Sequence, residues 1–343
     1  MKTVYSPDHA AHAGHWEVAR GAMVPCFEKP IRAEYVRARV EEVGLGEIVL
    51  PKVWSMETAR KVHDPAYLAF LGKAWDMWAA EGNHTSALPM TWPVRGLRND
   101  VPPECIEGLL GFYSMDAGAS ITAGTWKAVK ASMDCALTAA EIVAGGARAA
   151  FALCRPPGHH SGPAFMGGYC FINNASVAAQ WFRDQGAARV AILDVDYHHG
   201  NGTQDIFYER GDVFVANIHG DPKTEYPYFL GHADETGRGA GEGCNVNYPL
   251  PFGTAWDTWS LALDAACDRA EAFGAEVIVV SLGVDTFERD PISAFKLKTA
   301  DYPKMGARIA KLGKPTLFVF EGGYAVDEIG VNAVGVLTGF EGR

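Results

Sequence analysis

The stretch LDVDYHHGNG, residues 193–202, sets Asp194, Asp196, His198 and His199 within six positions, directly behind the apolar run Val190–Leu193. If the chain stays extended from 194 to 198, alternate side chains point the same way. Asp194, Asp196 and His198 then share one face while Val195 and Tyr197 pack on the other. Carboxylate and imidazole side by side are ligands for a borderline divalent cation. Asp285, which follows the apolar run 276–282, completes an Asp-His-Asp set with one position left open. Unneutralised carboxylates this close repel one another and take up protons, and a dication removes that cost.

A metal with an open position activates water and polarises a carbonyl, moving the pKa of water from about 16 toward about 7. Two anionic ligands weaken that acidity, so such a site gains from a neighbouring general base and from a donor to the developing oxyanion. His159 and His160, in RPPGHH at 155–160, can serve as base and acid, and Tyr324, in EGGY at 321–324, can offer its hydroxyl. His199 and His219 read as structural. A lone buried Asp or His is more often a hydrogen-bonded core residue than a ligand. It is the combination that points to a metal-dependent hydrolytic centre.

Those residues need elements to bring them together. Apolar, β-branched runs read as short buried strands at about 2–5, 47–50, 149–154, 189–194, 213–218, 276–282 and 315–320. The clearest helical patterns lie between them: 125–143, 174–185 opened by Asn174, 257–273, and 301–312, each closed by a glycine. Strands alternating with helices predict a three-layer α/β/α fold around a mostly parallel sheet. In such a sheet ligands bind beyond the carboxyl ends of the strands. The runs ending near 154, 194, 282 and 320 are each followed by one of the reactive groups above, so four strand ends supply one rim. The segment from about 82 to 124 has proline, glycine and tryptophan but weak periodicity, as expected of a lid, a binding loop or a partner contact.

With 343 residues, 48% of them hydrophobic, and no compositional break that would mark a linker, one domain over 1–343 is expected. The formal net charge of −11 argues against a nucleic-acid partner and suits a cationic small substrate. Seven scattered cysteines without a C-x-x-C pair read as reduced-compartment usage. No apolar run long enough for a membrane span occurs, so a cytoplasmic protein without a membrane partner is expected.

RPPGHH at 155–160, GGYCFINN at 167–174, DVDYHHGNGTQDIF at 194–207, SLGVDTFERDP at 281–291 and EGGY at 321–324 together resemble the arginase/histone deacetylase superfamily. The N-terminal segment, IEG at 106–108 and GTW at 124–126 are most similar to its bacterial acetylpolyamine amidohydrolases. The resemblance implies a deacetylase on an eight-stranded parallel sheet, with zinc on Asp196, His198 and Asp285. Fe²⁺ or Co²⁺ are possible on the same ligands. It further implies that His159 holds the attacking water, that His160 is general base and then acid toward the leaving amine, and that Tyr324 completes the oxyanion site. Asp194, Asn201, Asn217 and Phe207 would lie behind the metal and around a structural K⁺ or Na⁺. Gly168, Tyr169, Tyr226 and Ile292 would line the substrate tunnel. The long loop would make a homodimer and narrow the tunnel mouth.

The chain departs from the family pattern in places. Asn201 stands where many histone deacetylases have Asp, and Asn217 replaces a Ser common at the monovalent site. Of two acidic residues on the long loop of the polyamine enzymes, Glu107 matches one; the other falls at Gly118, with Asp116 two positions earlier. The expected activity is removal of acetyl groups from N-acetylated polyamines or similar cationic amines, releasing acetate. The competing readings are a broader deacetylase that accepts acetyl-lysine and, from another class, an inactive binder of acetylated ligands. A binuclear arginase-type hydrolase needs bridging carboxylates that DVDYHHG does not supply.

Overall fold

A computed structural model describes residues 1–19 and 21–343. The first part of the chain forms β1 (Lys2–Val4), β2 (Trp16–Ala19), β3 (Ala22–Pro25), α1 (Ile31–Glu42), β4 (Ile48–Val49) and α2 (Pro65–Ala80). The middle forms α3 (Ile106–Phe112), α4 (Thr125–Ala144), β5 (Ala149–Ala152), α5 (Asn174–Asp184), β6 (Val190–Asp194), α6 (Asn201–Phe207) and β7 (Val213–Gly220). Then follow β8 (Asn245–Leu250), α7 (Trp256–Phe273), β9 (Val277–Leu282), α8 (Tyr302–Ala310), β10 (Thr316–Phe320) and α9 (Val326–Glu341).

Eight strands pair in the order β4-β1-β5-β10-β9-β6-β7-β8, every pairing parallel. The alternation of each strand divides its side chains between two cores. Ala150, Ile192, Val279 and Leu317 pack under α2, α4 and α5, while Phe151, Leu193, Val280 and Phe318 pack under α1, α7, α8 and α9. A sheet covered on both faces needs apolar residues at both parities, which is why these strands read as unbroken hydrophobic runs.

Local signals set the helix ends. Asp64 caps α2 by accepting from the N–H groups of Ala66 and Tyr67 with Pro65 in the first turn, and Gly274 ends α7 in the left-handed conformation. A side-chain N-cap of this kind stabilises a helix by about 1 kcal/mol. α5 is capped by Asn173, whose side chain accepts from Ser176 N, so the helix opens one residue before the expected Asn174 cap.

The structure has more elements than the patterns suggest. β8 is an edge strand holding Pro249, a residue that argues against a central strand and hides an edge one. β2 and β3 pair antiparallel apart from the main sheet, and the 82–124 segment contains the short helix α3. The four strands whose ends carry the reactive residues, β5, β10, β9 and β6, are adjacent at the centre of the sheet.

Candidate active site

β6 ends at Asp194, so the extended path expected through 198 is not what aligns this motif. Two carboxylates turn the chain instead. Asp196 N donates to Asp194 Oδ1 at 3.1 Å, and His198 N donates to Asp196 Oδ1 at 2.9 Å. Asp and Asn side chains bond the backbone two residues on in this way, and here successive turns replace the pleat. The outcome still brings Asp196 and His198 to Asp285, with one ligand atom of each within 4.8 Å of the others and all three residues buried. His198 Nδ1 lies 3.0 Å from Asp285 Oδ2 and 3.4 Å from Asp196 Oδ1.

The backbone orients both carboxylates. Asp285 Oδ1 accepts from Tyr197 N at 2.7 Å, and Asp196 Oδ2 accepts from Gly322 N at 2.8 Å. A Cβ at Gly283 would stand 2.0 Å from Asp196 Oδ2, and one at Gly322 would stand 2.5 Å from Asp285 Oδ2. Glycine there lets the strand ends close around the cluster. Two carboxylates and one imidazole in a buried cradle fit a single divalent cation such as zinc. Carboxylates packed this closely away from bulk water repel one another, and a cation relieves that repulsion. Burial and then the Asp196 charge raise the Asp285 carboxyl to about 7, whereas His159 and His198 overcome burial to hold Asp196 low.

His159 and His160 lie beside the cluster, ring centroids 4.0 Å apart, and differ in their partners. His159 Nδ1 donates to Asp194 Oδ2 at 3.0 Å, while His160 Nδ1 donates to the neutral Asn201 Oδ1 at 2.6 Å. Burial alone would lower both. Asp196 and Asp194 outweigh it at His159 and raise it to about 10, whereas His160 stays well below the ordinary histidine range, lowered further by His159 and His198. His160 is therefore the neutral imidazole of the pair. A carboxyl holds the turn from beneath: Glu321 Oε2 accepts from Gly158 N at 2.6 Å and His159 N at 3.2 Å. Burial raises Glu321 to about 8.

A cavity of about 780 Å³ opens onto this cluster, and His160, His198 and Tyr324 reach its lining. Gly168, Tyr169, Tyr226 and Ile292 line it too, as does Asp116. Gly168, at φ +51°, leaves no room for a side chain, because a Cβ would meet His160 Cδ2 at 2.4 Å. Asp116 fastens this wall. Its carboxylate accepts from Tyr226 Oη at 2.5 Å, Gly118 N at 2.8 Å and Gly168 N at 3.1 Å.

Glu107 is not brought to the cavity of this chain. α3 turns Ile106 and Leu110 into the core, which leaves Glu107 on the exposed side beside Glu81. Asn217 spends its Oδ1 on Gly200 N at 3.1 Å. Phe207 is a core ring under Arg210, so only its backbone is polar there. His199 and His219 are buried with ring centroids 4.6 Å apart, away from the cavity lining.

Several contributors escape sequence reasoning. Arg32, wholly buried, donates to Gly323 O at 2.6 Å and Glu321 O at 2.7 Å, and its guanidinium lies 4.6 Å from the Tyr324 ring centroid. Glu28 pairs with Arg32 at 2.8 Å and with Arg155 Nε at 2.8 Å. Asp290 Oδ2 accepts from Tyr324 N at 2.7 Å, and its Oδ1 accepts from Ile292 N at 3.1 Å. Apart from the i,i+4 pair of Glu28 and Arg32, these contacts join positions distant in sequence or across a loop, and no short spacing announces them. Asp290 alone falls inside a quoted motif.

Comparison with known proteins agrees with this geometry. Residues 26–339 match the histone deacetylase domain family. The chain is 60% identical over 343 residues to acetylpolyamine amidohydrolase 1 of Pseudomonas aeruginosa, covering 100% of this chain and 99% of that one. It is 53% identical over 342 residues to the acetylpolyamine amidohydrolase of Mycoplana ramosa, covering 100% of both. The crystal structure of an acetylpolyamine aminohydrolase from Burkholderia pseudomallei superposes with a TM-score of 0.93 at 36% identity, covering 99% of this chain and 98% of that one.

Proposed function

Because the chain belongs to the histone deacetylase family, in its acetylpolyamine amidohydrolase branch, we propose that it is a metal-dependent amidohydrolase that removes acetyl groups from N-acetylated polyamines and releases acetate. The observation that carries this reading is the convergence of Asp196, His198 and Asp285, with His198, His160 and Tyr324 lining one cavity.

Asp196, His198 and Asp285 would hold the metal, with zinc, Fe²⁺ or Co²⁺ all suited to the donors. When bound, the ion supplies Lewis acidity toward water and the acetyl carbonyl. His159, tied to Asp194, orients the attacking water. His160 takes the water's proton at its free nitrogen while Nδ1 stays on Asn201, then returns the proton to the leaving amine. Tyr324 donates its hydroxyl to the oxyanion as the carbonyl becomes tetrahedral. The proton lost by water leaves on the amine and the acetyl group leaves as acetate.

Asp194, with backbone around Asn217 and Phe207, would hold a structural K⁺ or Na⁺. Gly168, Tyr169, Tyr226 and Ile292 form the tunnel wall, with Asp116 as its fastener. Glu107 would reach a tunnel only by crossing to a second subunit, and a homodimer through the 82–124 segment accords with Met90 and Leu97, which are 90% and 67% exposed. Among the described residues no helix is long and apolar enough to cross a membrane. A cytoplasmic location fits seven free cysteines.

The test is a panel of matched substrates, comparing kcat/KM for N-acetylated polyamines with that for acetyl-lysine peptides. Polyamine turnover well above peptide turnover is expected. Peptide turnover equal to it or greater would favour the broader deacetylase.

A further inference from the structure

Tyr324 stands on a segment that no helix or strand holds. β10 ends at Phe320 and α9 begins at Val326, so residues 321–325 alone carry the ring to the cavity lining. Gly323 turns there at φ +127°, a conformation open to glycine. The first part of the segment is fixed from two sides: Gly322 N donates to Asp196 Oδ2, and the carbonyls of Glu321 and Gly323 accept from Arg32. Tyr324 is held by a different group. Its N–H donates to Asp290 Oδ2 at 2.7 Å, and Ala325 N donates to the same oxygen at 3.2 Å.

Asp290 follows Asp285 on the loop after β9 and is 8% exposed. Its other oxygen, Oδ1, accepts from Ile292 N at 3.1 Å. A carboxylate that accepts backbone N–H groups makes charge-assisted bonds, about twice as strong as neutral ones, and so fixes where its donors stand. The two ends of this clamp meet the cavity at different places. Tyr324 is at one, and Ile292, in the wall beside Pro291 and Ser293, is at the other.

A donor to a developing oxyanion acts only where its hydroxyl meets the oxygen of the tetrahedral state. The Arg32 guanidinium lies 4.6 Å from the Tyr324 ring centroid and the Tyr169 ring lies 5.6 Å from it. Those contacts bear on the ring. Where the hydroxyl stands also depends on the backbone from which the ring springs, and there the holder is Asp290.

We propose that Asp290 is a positioning residue: by clamping the N–H groups of Tyr324 and Ala325 with one oxygen and that of Ile292 with the other, it places the Tyr324 hydroxyl for the oxyanion and ties it to the cavity wall. This deepens the deacetylase reading and rests on it. Asp290 is not among the residues that line the cavity, so its effect on the reaction passes through Tyr324.

The test is a double-mutant cycle on metal-loaded protein. kcat and KM for N-acetyl-1,4-diaminobutane are measured on the wild type, Asp290→Ala, Tyr324→Phe and the double variant, with bound metal counted in each. Asp290→Ala is expected to lower kcat about ten- to a hundredfold with metal retained, since misplacing a reacting group by about 1 Å costs on that order. In the Tyr324→Phe background the same substitution is expected to change kcat by about twofold or less, because no hydroxyl is left to misplace. Equal losses in the two backgrounds, an unchanged kcat in Asp290→Ala, or a loss that follows metal content overturns the proposal. Where Asp290→Ala does not fold, Asp290→Asn takes its place; it keeps one acceptor oxygen, and its smaller loss should again vanish with the Tyr324 hydroxyl.

Crystal structures of the wild type and the Asp290 variant give a readout that needs no turnover. A Tyr324 hydroxyl moved beyond about 0.5 Å supports the assignment, and one that keeps its place overturns it. A wild type that hydrolyses no acetylated amine would defeat the deacetylase reading, while the two structures would still decide whether Asp290 sets the position of Tyr324.

Discussion

At the scale of single residues the two histidines differ by one neighbour. His159 faces the Asp194 carboxylate, which favours its charged form, whereas His160 faces the neutral Asn201 amide and burial lowers it, which suits it to take a proton. His160→Ala is expected to lower turnover by about 10²–10⁴ and Tyr324→Phe by about 10²–10³, each with the metal retained, since neither residue belongs to the Asp-His-Asp cluster. Steady-state kinetics together with metal analysis of each variant checks this. Unchanged turnover in either would remove its assigned role. The cluster was legible in the sequence because each member follows an apolar strand. The extended geometry assumed for 194–198 was not how it forms, because Asp194 and Asp196 hydrogen-bond the backbone two residues on and end the pleat early.

At the scale of elements, the N-terminal segment acts as a brace for the strand ends. Glu28 joins Arg32 to Arg155, and Arg32 reaches the carbonyls of Glu321 and Gly323 just before Tyr324. Burial alone would raise the Glu28 carboxyl, but Arg155 and Arg32 outweigh it and bring it to about 2 from an ordinary 4.5. With the folded pKa below the unfolded one, the stabilisation is fully present above about pH 4.5 and is lost as pH falls toward about 2. It amounts to on the order of 3 kcal/mol. Glu28→Gln leaves two guanidiniums buried without their anion and is expected to cost about 3–5 kcal/mol. Denaturant unfolding at neutral pH and near pH 3 measures both. A variant as stable as the wild type at neutral pH would contradict the bracing role. The i,i+4 spacing of Glu28 and Arg32 allows their pair, but nothing in the spacing shows the links to Arg155 and to the carbonyls of Glu321 and Gly323, which close only when sequence-distant elements pack. β8 was hidden for a different reason: Pro249 is acceptable only at the edge the strand occupies.

At the scale of the whole molecule, the parallel order of the central strands decides where the chemistry lies. Four adjacent strands present their carboxyl ends to one rim, and this much follows from apolar runs each trailed by reactive residues. The 82–124 segment shows no such periodicity; its features are surface ones. Met90, Val94, Leu97 and Val101 are exposed, and Arg95 lies over the Phe229 ring at 5.6 Å, placing this segment against the loop that carries Tyr226. Exposed apolar side chains on this segment accord with the proposed association through it. Replacing Met90 and Leu97 together with Asp is expected to convert a dimer to a monomer in sedimentation velocity and to weaken amine turnover. A wild type that sediments as a monomer at working concentration would contradict the dimer.

The most direct measurement is acetate release from an N-acetylated polyamine as a divalent metal is titrated into chelator-treated protein. Activity should rise in proportion to bound metal and level off at one ion per chain, and protein with Asp285→Ala should fail to follow that curve. Full acetate release by the metal-free protein, or an undiminished curve from Asp285→Ala, would contradict a hydrolytic centre built on Asp196, His198 and Asp285.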